Sequence, residues 1–163
     1  MEEQAVPMTQ KMLIGNEVAT IDDKGRLLVS KKKRERLGEE FVAVLGTVGC
    51  VVLYPEATWQ RVCGEIFRYP SINQGREQYA RLMMGYAYDD LKFDSQNRVV
   101  IPAKLRELAH IGEKERVMIF GMGDRVEIWS AREWEYFERE PESYGRNRRD
   151  ALETAYRAMT GGA

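Results

Sequence analysis

Ile21-Asp22-Asp23-Lys24-Gly25-Arg26-Leu27-Leu28-Val29-Ser30, running into Lys31-Lys32-Lys33-Arg34, is written a second time as Phe93-Asp94-Ser95-Gln96-Asn97-Arg98-Val99-Val100-Ile101-Pro102, running into Ala103-Lys104-Leu105-Arg106. Each copy has an aspartate four residues before an arginine, an apolar triplet directly after the arginine, and then a basic segment of helical character. An offset of 72 pairs Asp22 with Asp94, Arg26 with Arg98, Val29 with Ile101 and Arg34 with Arg106. Further on, residues 41–59 fall on 116–134 at an offset of 75, matching Gly46 with Gly121, Tyr54 with Trp129 and Trp59 with Trp134. The second copy therefore carries about three extra residues near His110-Ile111-Gly112. Two copies point to a pseudo-twofold domain rather than to an extended solenoid.

The local chemistry of each copy sets its elements. Gly25 stands where a left-handed residue closes a tight turn, and Asn97, the non-glycine residue most tolerant of that conformation, replaces it in the second copy. Strands are expected over residues 13–21, 27–29 and 99–101, with Pro102 placed to start the second short helix. Hairpins follow: 41–45 with 51–54 around Gly46 and Gly49, and 117–120 with 126–129 across 121–124. Both lead from an aromatic residue into a helix, 56–67 and 131–138. Between the copies, residues 71–86 place Ile72, Tyr79, Leu82, Met83 and Tyr86 on one side of a helix with Ser71 as its N-cap. A final helix carries the stripe Leu152, Ala155, Tyr156 and Met159, read as core or packing surface, and closes at Gly161-Gly162. The expected organisation is a flexible tail over 1–12, repeat 1 over 13–62, a linking helix over 63–86, repeat 2 over 87–137 and a C-terminal helical segment over 138–163. One such half cannot enclose a core, so the two should interlock.

The 163 residues suffice for one domain or two halves sharing a core, and the apolar fraction of 44% is ordinary for a globular chain. No apolar run approaches the roughly 18 to 20 residues needed to span a bilayer. The acidic, polar residues 1–10 lack a signal-peptide pattern, so a cytoplasmic protein without membrane attachment is expected. Cys50 and Cys63 are the only cysteines and are expected as reduced, partly buried thiols. The chain is nearly neutral, at −1, but residues 22–36 hold seven cations against three anions, a net of +4. The matching 94–110 holds three cations and two anions, a net of +1. Charge gathered on one face can attract a polyanion even when the whole is neutral.

Catalytic signatures are missing. His110, the sole histidine, ends a short helix and reads as a surface or packing residue, and it forms no metal set with two unrelated cysteines. Gly121-Met122-Gly123 is a hairpin turn rather than a phosphate loop, and no Gly-x-Ser-x-Gly motif occurs. No enzymatic activity, cofactor, metal or small-molecule substrate is expected.

An aspartate and an arginine at i and i+4 across a turn can hydrogen-bond, and an arginine oriented in this way suits phosphate contacts or bidentate reading of guanine. For one such motif, a salt bridge that merely holds the turn is the simpler reading. Two copies, one followed by four consecutive cations, favour a surface for double-stranded DNA. The candidate contacts are Lys24, Arg26, Lys31, Lys32, Lys33, Arg34, Arg98, Lys104 and Arg106, with Asp22, Gly25, Asp94 and Asn97 supporting the turns. Lysines in a row on a helix point in several directions, so only part of the run can face a phosphate backbone.

Asp-x-Lys-Gly-Arg with its apolar sequel, occurring in two versions, a hairpin ending in Leu53-Tyr54-Pro55 and a helix carrying Trp59 together resemble the MraZ family. These are bacterial regulators built from two AbrB-like (SpoVT/AbrB) units, and the resemblance covers residues 12–137. It implies an α+β, mainly β fold: two tandem swapped-hairpin units forming one pseudo-twofold β-barrel, with flanking helices. It further implies a ring-shaped homo-oligomer that binds tandem DNA repeats upstream of the division and cell wall gene cluster, in the nucleoid, with repression favoured. Asp22, Lys24 and Arg26 match the motif in the first half, Asp94 and Arg98 in the second. The chain departs from the family at Gln96-Asn97, where the family carries Lys-Gly, and at Ser30, where proline is common. The second turn has thus lost a cation, and weaker or altered DNA contact is expected there. The rival function is a protein-interaction or antitoxin-like scaffold docking through residues 146–159. RNA binding is weaker, because the motif lacks interleaved aromatics for base stacking.

Overall fold

A computed structural model of the chain describes residues 12–162. The flexible tail expected over 1–12 falls, all but Met12, outside the described residues. The first half runs β1 (Asn16–Thr20), β2 (Arg26–Leu28), α1 (Lys31–Leu37), β3 (Phe41–Leu45), β4 (Val51–Pro55), α2 (Glu56–Phe67) and α3 (Gln74–Met84). The second repeats it as β5 (Tyr88–Leu91), β6 (Arg98–Val100), α4 (Ala103–Leu108), β7 (Arg116–Gly121), β8 (Val126–Ser130), α5 (Ala131–Arg139) and α6 (Arg146–Thr160). The duplication therefore reaches past the second hairpin helix: α3 and α6 close their halves in the same order and pack against each other.

All strand pairs are antiparallel. Six strands form one sheet in the order β1-β7-β8-β4-β3-β5, while β2 and β6 form a separate two-stranded ribbon. Each half's first strand lies on the hairpin of the other half, β1 on β7 and β5 on β3, which is the interlocking that a half-unit without its own core requires. The register marks the pseudo-twofold. Leu27 faces its own equivalent Val99 across the ribbon, and Val52 faces its equivalent Glu127 across the β4–β8 pair. Among the described residues the strands of the expected pseudo-twofold β-barrel do not close into one. The six-stranded sheet ends in the edges β1 and β5, and the three-residue strands β2 and β6 ladder only with each other among the described residues.

Both faces of the central strands are buried, so their apolar runs divide by period two. Phe41, Ala43, Val51, Leu53, Val117, Ile119, Val126 and Ile128 point to one side, where Leu27 and Val99 of the ribbon, with Leu37 and Leu105 of α1 and α4, complete the main core. Val42, Val44, Val52, Tyr54 and Trp129 point to the other, under Trp59 of α2 and Trp134 and Phe137 of α5. The ribbon is thus carried on the face opposite the long helices. Arg148 of α6 fastens the helical side: its guanidinium donates to the carbonyls of Leu45, Gly46 and Leu82 at 2.7–2.9 Å, tying the end of β3 to α3.

The linking helix is shorter than its apolar pattern implies. Asn73, not Ser71, is its N-cap, accepting from the Arg76 N–H at 3.0 Å, and Ile72 is left outside the helix at 87% exposure. Leu152, Ala155 and Met159 of the C-terminal stripe are buried, whereas Tyr156 turns outward and meets Tyr79 with ring centroids 5.8 Å apart. The extra residues of the second half form the loop after α4, where His110 and Lys114 both take positive φ, at 58°. His110 is exposed there. Cys50 and Cys63 are free thiols, the first buried and the second partly so.

Candidate nucleic-acid interface

The two Asp/Arg turns are built by one hydrogen-bond scheme. Asp22 Oδ1 accepts from the backbone N–H groups of Lys24, at 2.9 Å, and Arg26, at 2.7 Å, while Oδ2 accepts from Arg26 Nε at 2.5 Å. Asp94 does the same with Gln96 N at 2.8 Å, Arg98 N at 3.0 Å and Arg98 Nε at 3.2 Å. Short polar side chains that capture backbone donors two residues on are what make aspartate a turn former. Gly25, at φ 79°, and Asn97, at φ 64°, occupy the left-handed position expected of both. Desolvation works to raise the Asp22 pKa, but hydrogen bonds from Arg26 and Lys24 and the guanidinium charge hold it below the ordinary carboxylate value. At Asp94 the Arg98 backbone N–H is the chief cause of a pKa held low, against desolvation.

The fold brings these turns together at the ends of the ribbon. Arg98 Nη1 stands 4.0 Å from Asp22 Oδ2, so the first-half carboxylate faces both arginines. The guanidinium of Arg106 lies over Gly25, and the N–H of Ile101 donates to the Gly25 carbonyl at 2.9 Å.

The remaining candidate cations divide by where their helices point them. Lys24, Lys31 and Lys32 are exposed, and Lys104 is half-buried beside the Tyr86 ring. Lys33 is buried and lies 3.0 Å from Glu17 Oε1, while the other Glu17 oxygen accepts from Ser30 N at 3.1 Å. Arg34 and Arg106 each turn Nε back to a strand-end carbonyl, Val29 and Ile101, both at 2.9 Å. These three side chains join helix to strand and sheet instead of extending from the ribbon. Two residues outside the candidate list stand on its outer face: Leu28 and Val100 are 55% and 48% exposed. The signal for them was strand periodicity, since an apolar triplet whose outer members are buried must turn its alternate residues outward.

Among the described residues no group of three His, Cys, Asp or Glu is placed to hold a metal ion, and no helix is long and apolar enough to cross a membrane. What the arrangement offers is a narrow antiparallel ribbon with two carboxylate-oriented guanidinium groups and flanking lysines.

Comparison with known proteins shows the family of the chain. The family profile described as "MraZ protein, putative antitoxin-like" matches twice, over residues 12–82 and 83–154, so that each match includes more than half of one of the helices α3 and α6. A protein of Chromobacterium violaceum named transcriptional regulator MraZ is 38% identical over 128 residues, covering 76% of this chain and 84% of the relative. Its namesake from Heliobacterium modesticaldum is 37% identical over 134 residues, 82% of this chain and 92% of the relative. One from Lachnoclostridium phytofermentans is 36% identical over 124 residues, with shares of 76% and 85%. With both halves matched and the paired turns in place, the chain belongs to the MraZ family.

Proposed function

We propose that the chain is a DNA-binding transcriptional regulator that applies the β2–β6 ribbon to duplex DNA. The observation that carries this reading is the meeting of both Asp/Arg turns on one ribbon, with Arg98 4.0 Å from the carboxylate of Asp22. A two-stranded ribbon fits the major groove, and arginines held by carboxylates are pre-aimed at guanine edges or phosphates. Lys24, Lys31, Lys32 and Lys104 supply phosphate contacts around them. Lys33, Arg34 and Arg106 act one step back, holding the ribbon against α1 and α4. The crossed pairing of β1 on β7 and β5 on β3 supports reading the core as a swapped-hairpin arrangement of two AbrB-like units.

One ribbon makes few contacts, so the regulator works as a ring-shaped homo-oligomer on tandem promoter repeats about 10 bp apart, gaining affinity by multivalency. Its place is the nucleoid, and its target is the division and cell wall gene cluster, which it represses. Packing of the apolar face of α6 on α3 favours this reading over the rival interaction module, whose docking element would be that helix.

The test is a fluorescence-anisotropy titration of a promoter fragment with tandem repeats against a shuffled control, at two salt concentrations. If about 4 phosphates are neutralised per bound unit, log K falls against log[salt] with a slope near −3.6. Specific binding by the wild type, lost in both Arg26→Ala and Arg98→Ala, is the expected result. A salt-independent affinity, or variants that bind as well as wild type, would overturn the reading.

A further inference from the structure

We propose that Leu28 and Val100 read thymine, each covering the C5 methyl group of a base beside one read by an arginine. The inference rests on the DNA-binding reading above and assigns a specificity role to two residues outside its cationic set. Leu27 and Val99 are fully buried, so strand alternation places Arg26, Leu28, Arg98 and Val100 together on the outer face of the ribbon. The register sets Arg26 opposite Val100 and Leu28 opposite Arg98. Directly opposed side chains on one face of an antiparallel pair are neighbours. The outer face is therefore a two-by-two checker of arginines on one diagonal and apolar groups on the other, related by the pseudo-twofold.

A single exposed leucine is ordinary and needs no explanation. Here two large apolar side chains stand half-exposed at equivalent positions of the duplicated motif, each with an oriented guanidinium across the rung. An apolar protein partner covering them would have to desolvate Arg26 and Arg98 as well. The major groove satisfies both kinds of group at once: guanine offers O6 and N7 to arginine, and the thymine methyl is the one apolar group on any base-pair edge there. The pattern implies sites in which a recognised guanine and a recognised thymine lie close together, twice, in inverted orientation.

The experiment uses the full chain. Duplexes enriched by the wild-type protein from a randomised library are resynthesised with deoxyuridine replacing thymidine one position at a time, which removes only the methyl group. At two positions per bound ribbon the wild type should lose roughly fourfold in affinity, the value of one buried methyl group. Leu28→Ser should abolish the loss at one position and Val100→Ser at the other. Thermal melting checks that both variants fold, as substitution outside the core should allow. If enriched duplexes bind but thymine and uracil are bound alike everywhere, or the discrimination persists in both variants, the thymine reading falls while DNA binding stands. If the library yields no enriched sequence and Leu28→Ser instead lowers the mass of the assembly, both readings fall and the pair is a contact between proteins.

Discussion

The turn at Asp22 and the turn at Asp94 share a backbone and a hydrogen-bond scheme, but they are supported differently. The first is clamped by the second half: Arg106 lies over Gly25, the Ile101 N–H holds the Gly25 carbonyl, and Arg98 leans on Asp22. The second turn is exposed from Asp94 to Asn97, and its hydrogen bonds to Arg98 are longer than those in the first, at 3.0 and 3.2 Å against 2.7 and 2.5 Å. At position 25 glycine is favoured by a φ of 79°, and any side chain there would also have to move the Arg106 guanidinium, 2.7 Å from where a Cβ would stand. At position 97 only the backbone angle makes a demand, and asparagine meets it. A duplicated motif can thus keep its geometry while its copies part in rigidity: one anchored and strongly cationic, the other open.

The largest expected difference is in DNA affinity. Arg26→Ala should weaken specific binding by about 10- to 100-fold, in the range of one lost bidentate base contact, and more than Arg98→Ala does in the same titration. A costlier Arg98→Ala would invert the comparison. Next comes stability: Gly25→Ala should cost about 1–3 kcal/mol by chemical denaturation, because a side chain in that conformation is strained and must also displace Arg106. Asn97→Ala should cost less, since only the backbone is strained; equal costs would show that the Arg106 clamp contributes nothing.

Acid sensitivity gives a smaller contrast. Both carboxylates are held below their ordinary value of 3.8 in the fold, so each contributes stability that is complete above that value and lost as the pH falls through the depressed pKa. Denaturation between roughly pH 4 and pH 2 should therefore show a flatter acid limb for Asp22→Asn than for wild type, with Asp94→Asn in between. An unchanged limb in both variants would mean that the turns do not depend on charge. Smallest of all, Asn97→Gly should change stability by no more than about 0.5 kcal/mol, and a larger change would reveal a contact of the Asn97 side chain that makes the second turn less open than it looks.

How much of this was legible in the sequence depends on how local each feature is. Left-handed residues at 25 and 97 could be read because glycine and asparagine are the residues that accept that angle. The hairpins could be read because runs buried on both faces between glycine turns have few other uses. Lys33 could not be separated from Lys31 and Lys32 by composition, and what decides its fate is Glu17, sixteen residues earlier on another element. One local sign was present: Leu37, a turn further along α1, is also buried, so Lys33 shares the inward face. Arg34 and Arg106 follow their strands at the same distance, a placement in sequence that suits the bond to a strand-end carbonyl as well as a binding role. Whether the sheet closes into a barrel is not legible in the sequence, because strand partnership is a long-range property. Alternation tells which side chains face a core, not which edges meet.

The crossed pairing of the two halves bears on how the chain is made. Val18 must wait for Met118, a hundred residues downstream, before β1 can join the sheet. A nascent chain that has released only its first half holds the β3–β4 hairpin without its β5 and β8 neighbours, and a ribbon strand with nothing to ladder against. Such non-local closure is slow, because chain entropy is lost before contacts repay it. The paired arginines can therefore meet only after the second half has been made, so a product truncated after the first half carries one complete motif sequence and a ribbon strand without its partner.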